Sequence, residues 1–235
     1  MPLVIREVSS EKDFDKISPM DYDAWQVPYN PQLKHFRPSF PTRDEAIADK
    51  KRRSIEAWKT HNPKKFYLMV EDTDADDVIG FALWEVNDKP EPYGEPTVAH
   101  WHPEGSVEKE FAERFINGLW NFIGKRVTRP HMDLLSLVVN QAYRGRGAGR
   151  LLIEWGTAKA DELGIETVVS SLPSARGAYE KCGLGPIEII PADVDVPDPS
   201  PRWKELQADD LSGWLMWRPI RHDYDAAVDK APWLS

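Results

Sequence analysis

The 235-residue chain has one cysteine, Cys182, so it forms no internal disulfide and lacks the thiolates for a zinc cage or an iron–sulfur cluster. Long apolar runs are missing too. Leu134, Leu135 and Leu137 to Val139 make one of the longest, far short of the roughly 18 to 20 residues of a membrane span. The opening MPLVIREVSS lacks a basic start, an apolar stretch and a small-residue cleavage site, so no secretory leader is expected and a cytoplasmic protein is. Positive charge is in deficit, with 30 Lys and Arg against 39 Asp and Glu and a net charge of −9 at pH 7. That balance argues against nucleic acid as a partner and favours cationic small molecules or basic peptides near the surface. Neither nucleic acid nor membrane is expected to bind.

What the chain has is apolar and aromatic mass. Hydrophobic residues reach 41%, with ten Trp and eight Phe, enough buried surface to offset the entropy of folding. PLVIREV reads as a first strand, and Phe14, Ile17 and Met20 fall at helical spacing between Ser10 and Tyr22. Four prolines between Trp25 and Pro41 predict a loop, and Thr42 with Glu45 predicts a capping box that opens a helix running to about Lys59. Lys65 to Glu71 and Val78 to Val86 read as a hairpin turning through DTDADD. Phe111, Phe115, Leu119 and Phe122 share a helical face. From Met132 the pattern alternates strand, turn, helix, strand and helix, which indicates a mixed α/β sheet. Pro186 to Pro201 reads as a proline-rich connection, SGWLMWRPI as a closing strand, and residues 222–235 as no regular element.

The turn Arg144-Gly145-Arg146-Gly147-Ala148-Gly149 sits between a strand and a helix with Leu151, Leu152, Trp155 and Ala158 along one side. Glycines there let several amide donors converge on one anion at the helix start, where the helix dipole adds about 0.3 to 1 kcal/mol. Arg144, Arg146 and Arg150 make the turn locally basic, and at contact range they outweigh a net charge screened over roughly 8 to 10 Å. A phosphate-bearing ligand is the reading. The spacing matches neither a P-loop, which ends in GK[ST], nor the dinucleotide GxGxxG. A plain tight turn with solvent-facing arginines is the alternative at this point.

RGRGAG also fits the RxxGxG signature of the GCN5-related N-acetyltransferase (GNAT) superfamily, after a strand and opening a helix. Together with VVNQAYRGRGAGRLLIEWGTAKADELG and YEKCGL, residues from about Asp133 to Leu184 resemble that family's core motifs. The resemblance implies a twisted mixed sheet with helices on both faces, formed by one domain over 1–235. That domain would carry an inserted helical segment at about 89–129 and a terminal strand plus tail at about 202–235. It implies acetyl-CoA as cosubstrate, its pyrophosphate held by amides from Arg144 through Gly145, Arg146, Gly147, Ala148 and Gly149 to Arg150. It gives the backbone of Leu137, Val138 and Val139 the contact with the pantetheine arm, and an amide near Leu137 the role of oxyanion donor.

By the same resemblance Asp133 stands where some members carry a catalytic base, and Tyr179 matches the tyrosine facing the departing sulfur. An ordinary aspartate, at a pKa of about 3.9, is a weak base at neutral pH, so burial must raise it or water must relay the proton. Strand capping or pairing with an arginine would explain Asp133 equally well; His131 is the reserve base. Cys182 reads as packing, the pair His100 and His102 lacks the companions of a metal site, and the run Lys50 to Arg53 reads as a solvated helix face. The implied activity is direct acetyl transfer to a primary amine of a small molecule. Alternatives are a protein or peptide acceptor, or acyl-CoA binding without turnover. A homodimer is compatible with these features.

Overall fold

The computed structural model describes residues 3–90 and 94–234. Pro2, where the opening strand was expected to begin, lies outside them, as do Pro92 within the expected insertion and the outermost residues of the expected 1–235 domain. In chain order the elements are β1 (Leu3–Glu7), α1 (Asp13–Ala24), α2 (Leu33–Phe36), α3 (Arg43–Trp58), β2 (Lys65–Asp72), β3 (Asp77–Asn87) and α4 (Val107–Gly124). There follow β4 (His131–Val139), α5 (Ala148–Leu163), β5 (Glu166–Ser171), α6 (Arg176–Glu180), β6 (Gly185–Ile190), α7 (Pro201–Gln207) and β7 (Gly213–Arg218). The strands form one mixed sheet ordered β1-β2-β3-β4-β5-β7-β6. The β4–β5 pairing is parallel and the other pairings described are antiparallel.

The β2–β3 hairpin closes where expected. The Asp72 carboxylate accepts from the Asp74 amide at 3.2 Å, and Asp76 takes a left-handed φ of 50°. The Thr42 hydroxyl accepts from the Glu45 amide at 3.2 Å and opens α3, as the capping signal requires. Phe111, Phe115 and Leu119 of α4 are buried, whereas Phe122 is only half-buried, with the Arg126 guanidinium 3.4 Å from its ring centroid. On α5 the buried face is Leu152, Ile153, Gly156, Thr157 and Ala160, and Ala158 is exposed. The face is rotated from the expected one because Gly156, having no side chain, lets the helix settle against Trp84 of β3.

Three elements differ from the sequence reading. α2 forms a single turn at Leu33–Phe36 inside the expected loop, in the stretch between Pro31 and Pro38 that holds no proline. Pro186 lies inside β6, which tolerates it because β6 is an edge strand and its register shifts between Pro186 and Glu188. α7 begins at Pro201, capped by the Ser200 hydroxyl accepting from the Trp203 amide at 3.2 Å.

The helices divide between the faces. Trp84, Met132 and Leu134 face α5 and α6, packing with Leu152, Ile153 and Tyr179. Tyr67, Met69, Phe81 and Val138 face the other way, toward Phe14 and Ile17 of α1, over which α3 lays Ile55 and Trp58. On that second face α4 covers Val168, Leu215 and Trp217 through Leu119, and meets Trp203 of α7 through Phe111.

Candidate active site

β4 and β5 pair only through His131↔Glu166, Met132↔Thr167 and Asp133↔Val168. Beyond Asp133 they diverge, although β4 runs on to Val139 and β5 to Ser171. β4 stays paired with β3 over this stretch, and its register shift against Leu83 and Trp84 leaves Leu135 as the extra residue. A cavity of about 820 Å³ occupies the opening, with Leu134 to Val139 on one side and Ser170 and Leu172 on the other.

The cavity passes through the sheet. On the α5 side its walls include Gly147, Gly149, Arg150, Tyr179 and Cys182. On the α1 side they are Trp25, Tyr29, Asn30 and Gln32, together with Asp210 from the loop before β7. Nothing local in the sequence marks Asp210 or Gln32 for this position, since tertiary packing alone brings them there; the aromatic content of the 25–41 loop is the one visible signal.

The glycine turn leaves backbone donors free at the start of α5. Gly145 and Gly147 have φ of 79° and 98°, a region costly for other residues, and Gly147 is the N-cap of α5. The first-turn amides of Ala148, Gly149 and Arg150 therefore have no carbonyl inside the helix to bond. A Cβ on Gly149 would stand 3.4 Å from the Val139 side chain, so the turn is also packed closely on β4.

The three arginines of the turn are used differently. Arg144 donates to the carbonyls of Val27 at 2.6 Å, Ala24 at 3.1 Å and Val139 at 3.3 Å. Arg146 directs its guanidinium to the buried Asp72 at 2.7 Å and over the Tyr143 ring. Burial opposes the charge on Asp72, but Arg146 and the Asp74 amide outweigh it and hold that carboxyl below its usual range. Arg150 keeps a largely exposed side chain at the cavity, paired with Glu154 at 2.6 Å.

Asp133 stands at the vertex where the strands part, one residue below the cavity lining. Its register partner on β3 is Glu85. Burial, and next the Glu85 charge, push its carboxyl up to about 7, against a hydrogen bond from the Leu134 amide. Tyr179 is buried and lines the cavity, and burial raises its phenol far above the ordinary value. Cys182 lines it as well, its thiol raised first by burial. His131 is buried at the start of β4, its ring Nδ1 2.8 Å from the Arg129 carbonyl oxygen, and burial lowers its pKa. Among the described residues no group of three or more His, Cys, Asp or Glu is arranged to hold a metal ion.

The charges of the lining are segregated. Its basic residues are Arg144, Arg150 and Lys181, on the chain segments around the glycine turn and α6; its acidic one is Asp210, at the opposite entrance. Asp210 is held ionised below its ordinary range by hydrogen bonds from Ser212.

Comparison with known proteins fits this geometry. Residues 29–184 match the model of the acetyltransferase (GNAT) family. No curated protein matches the sequence significantly. Among solved structures, one described as histone acetyltransferase HPA2 and related acetyltransferase from Corynebacterium glutamicum is 18% identical. It aligns over 96% of this chain and 100% of its own, with a TM-score of 0.56. The PaiA N-acetyltransferase from Thermoplasma acidophilum in complex with coenzyme A is 14% identical, over 95% of this chain and 100% of its own, with a TM-score of 0.50. A chimera of the spermidine N-acetyltransferase SpeG from Vibrio cholerae is 12% identical, over 92% and 95% respectively, also at 0.50. These likenesses are of fold; the family match, which spans about two thirds of the sequence, makes the chain a member of the GNAT family of acetyltransferases.

Proposed function

We propose that the protein transfers the acetyl group of acetyl-CoA directly to the primary amine of a small cationic molecule. The observation that carries this reading is the separation of β4 from β5 directly below a glycine turn that caps a helix. The two features together offer a diphosphate cradle and an unpaired strand edge opening on one cavity. The residues present fit the cosubstrate: amides of residues 145–150 for the pyrophosphate, and the β4 backbone from Leu137 through Val138 to Val139 for the pantetheine arm. When bound, acetyl-CoA supplies an activated thioester carbonyl.

This chain's residues do the rest. The Leu137 amide donates to the carbonyl oxygen as negative charge gathers there. Asp133 receives the proton of the incoming ammonium through water, since it stands just below the lining, and its raised pKa suits it to that task near neutrality. Nitrogen then bonds to the acetyl carbon, the carbon–sulfur bond breaks, and the second proton, still on the new amide nitrogen, passes to water or to the departing thiolate. The Tyr179 hydroxyl donates a hydrogen bond to the departing thiolate; with its phenol raised further by burial, complete proton donation is uphill and stabilisation is its role.

A cationic acceptor is supported by Asp210 and the aromatic rings of Trp25 and Tyr29 at the entrance away from the glycine turn.

The test is release of free thiol from acetyl-CoA across polyamines, arylalkylamines, aminoglycosides and peptides. Turnover with a small amine supports the reading. Turnover only with peptides replaces it by a protein or peptide acetyltransferase, and coenzyme binding without any turnover by a non-catalytic acyl-CoA-binding domain.

A further inference from the structure

The acceptor entrance is walled by a strap, residues 25–32, fixed near its two ends by hydrogen bonds to residues distant in sequence. At one end Gln32 donates through Nε2 to the Leu211 carbonyl at 3.0 Å and to that of Ser212 at 2.9 Å. At the other, the Arg144 guanidinium holds the carbonyls of Ala24 and Val27 as well as that of Val139. Ala24 ends α1 and Val139 ends β4, so one planar fork ties a helix terminus, a strand terminus and the strap together. A cation also suits the negative end of α1. Between the anchors the strap is lightly packed, with Tyr29 57% and Val27 42% exposed.

Arg144 is itself the first residue of the glycine turn. Three of its five N–H donors go to these carbonyls, so the guanidinium is oriented by the strap and the strand end. Gly145, next in the chain, takes a positive φ, and any settling of the turn around a diphosphate acts on the Arg144 backbone.

We propose that Arg144 is a positioning residue joining the two substrate sites: seating of the diphosphate in the turn fixes Arg144, and Arg144 fixes the acceptor wall. The inference rests on the coenzyme reading above. It makes the acceptor entrance firmest when coenzyme is bound, and it gives the Arg144 guanidinium a positioning task.

The test uses free coenzyme A as probe, with calorimetry for its affinity and hydrogen exchange of residues 24–32 for the strap. In the unmodified protein, saturating coenzyme A slows strap exchange by about tenfold. In Arg144→Gln the strap exchanges fast with or without coenzyme, while the Kd rises by less than about threefold, a loss that neutral backbone recognition elsewhere in the turn tolerates. Arg144→Lys, which keeps the charge but not the fork, regains part of the protection. Its binding heat, like that of Arg144→Gln, shows the variant is folded. Undiminished protection of the strap in coenzyme-saturated Arg144→Gln overturns the proposal, and so does the absence of protection in the unmodified protein. A Kd raised by about thirtyfold or more makes Arg144 a phosphate ligand instead. No binding heat in the unmodified protein refutes the coenzyme reading itself, a result distinct from these.

Discussion

Gly156 of α5 lies flat against the indole of Trp84: a Cβ added to it would stand 2.2 Å from two ring atoms. The ring cannot retreat, because Trp84 is wholly buried and its Nε1 donates to the Leu152 carbonyl at 3.1 Å. Gly156→Ala gains helix propensity of up to about 1 kcal/mol, but overpacking costs about 1 to 3 kcal/mol and wins. A lowered urea midpoint is the expected result. Because α5 carries the amides of the glycine turn at its N-terminus, coenzyme affinity should fall in the same variant.

As the proposed proton acceptor, Asp133, its carboxyl raised to about 7, should set the acid limb of the pH–rate profile. It accepts a proton only when ionised, so kcat/KM should fall as pH drops through about 7. Glu85→Gln removes the like charge opposite it and should move that limb to lower pH, by the smaller share of the shift since burial is the larger cause. The stability effect runs the other way. A folded pKa above the unfolded one makes this group costly as pH rises from about 4 to beyond 7. Asp133→Asn should therefore gain stability relative to the parent at pH 8 and not at pH 4, while losing activity. An acid limb unmoved by Glu85→Gln would remove Asp133 from the proton path.

Tyr179→Phe keeps the buried ring and deletes the hydroxyl. Pre-steady-state transfer should slow by about a hundredfold, in the range of a positioned proton-sharing group. Coenzyme A affinity by calorimetry should stay within about twofold, because a neutral contact contributes little to ground-state binding. Equal losses in both would assign Tyr179 to packing alone.

Asp72 anchors the glycine turn from the end of β2 through Arg146. Its carboxyl is held below the ordinary range, so its contribution is present at neutral pH and disappears as pH falls through that lowered value. Asp72→Asn should weaken coenzyme binding about fivefold, as expected for a residue one contact away from the ligand. It should also lower the urea midpoint at pH 7, with the difference from the parent vanishing under strongly acid conditions.

The parts of this site that are local in the chain can be read from the sequence. RGRGAG needs only its own glycines and the flanking strand and helix to form a cradle, and Thr42 caps the helix that starts beside it. What required folding is everything set by distant partners. The side-chain partners of Arg144 and Arg146, Val27 and Asp72, lie 117 and 74 residues away and cannot be read beside them in the chain. Asp210 gains its place only when the loop before β7 comes to lie against Gln32. Pro186 hides a strand because its tolerance depends on β6 being at the sheet edge, a place it has because β7, later in the chain, pairs between it and β5. Ser200 and Pro201 did carry a helix-start signal, obscured by the prolines that precede them.

The two hydrogen bonds from Gln32 span 179 and 180 residues of chain. Contacts of that separation repay their closure entropy only after nearly all else is in place. In a partly folded molecule the glycine turn would thus be in place before the wall at residues 25–32 is tied down.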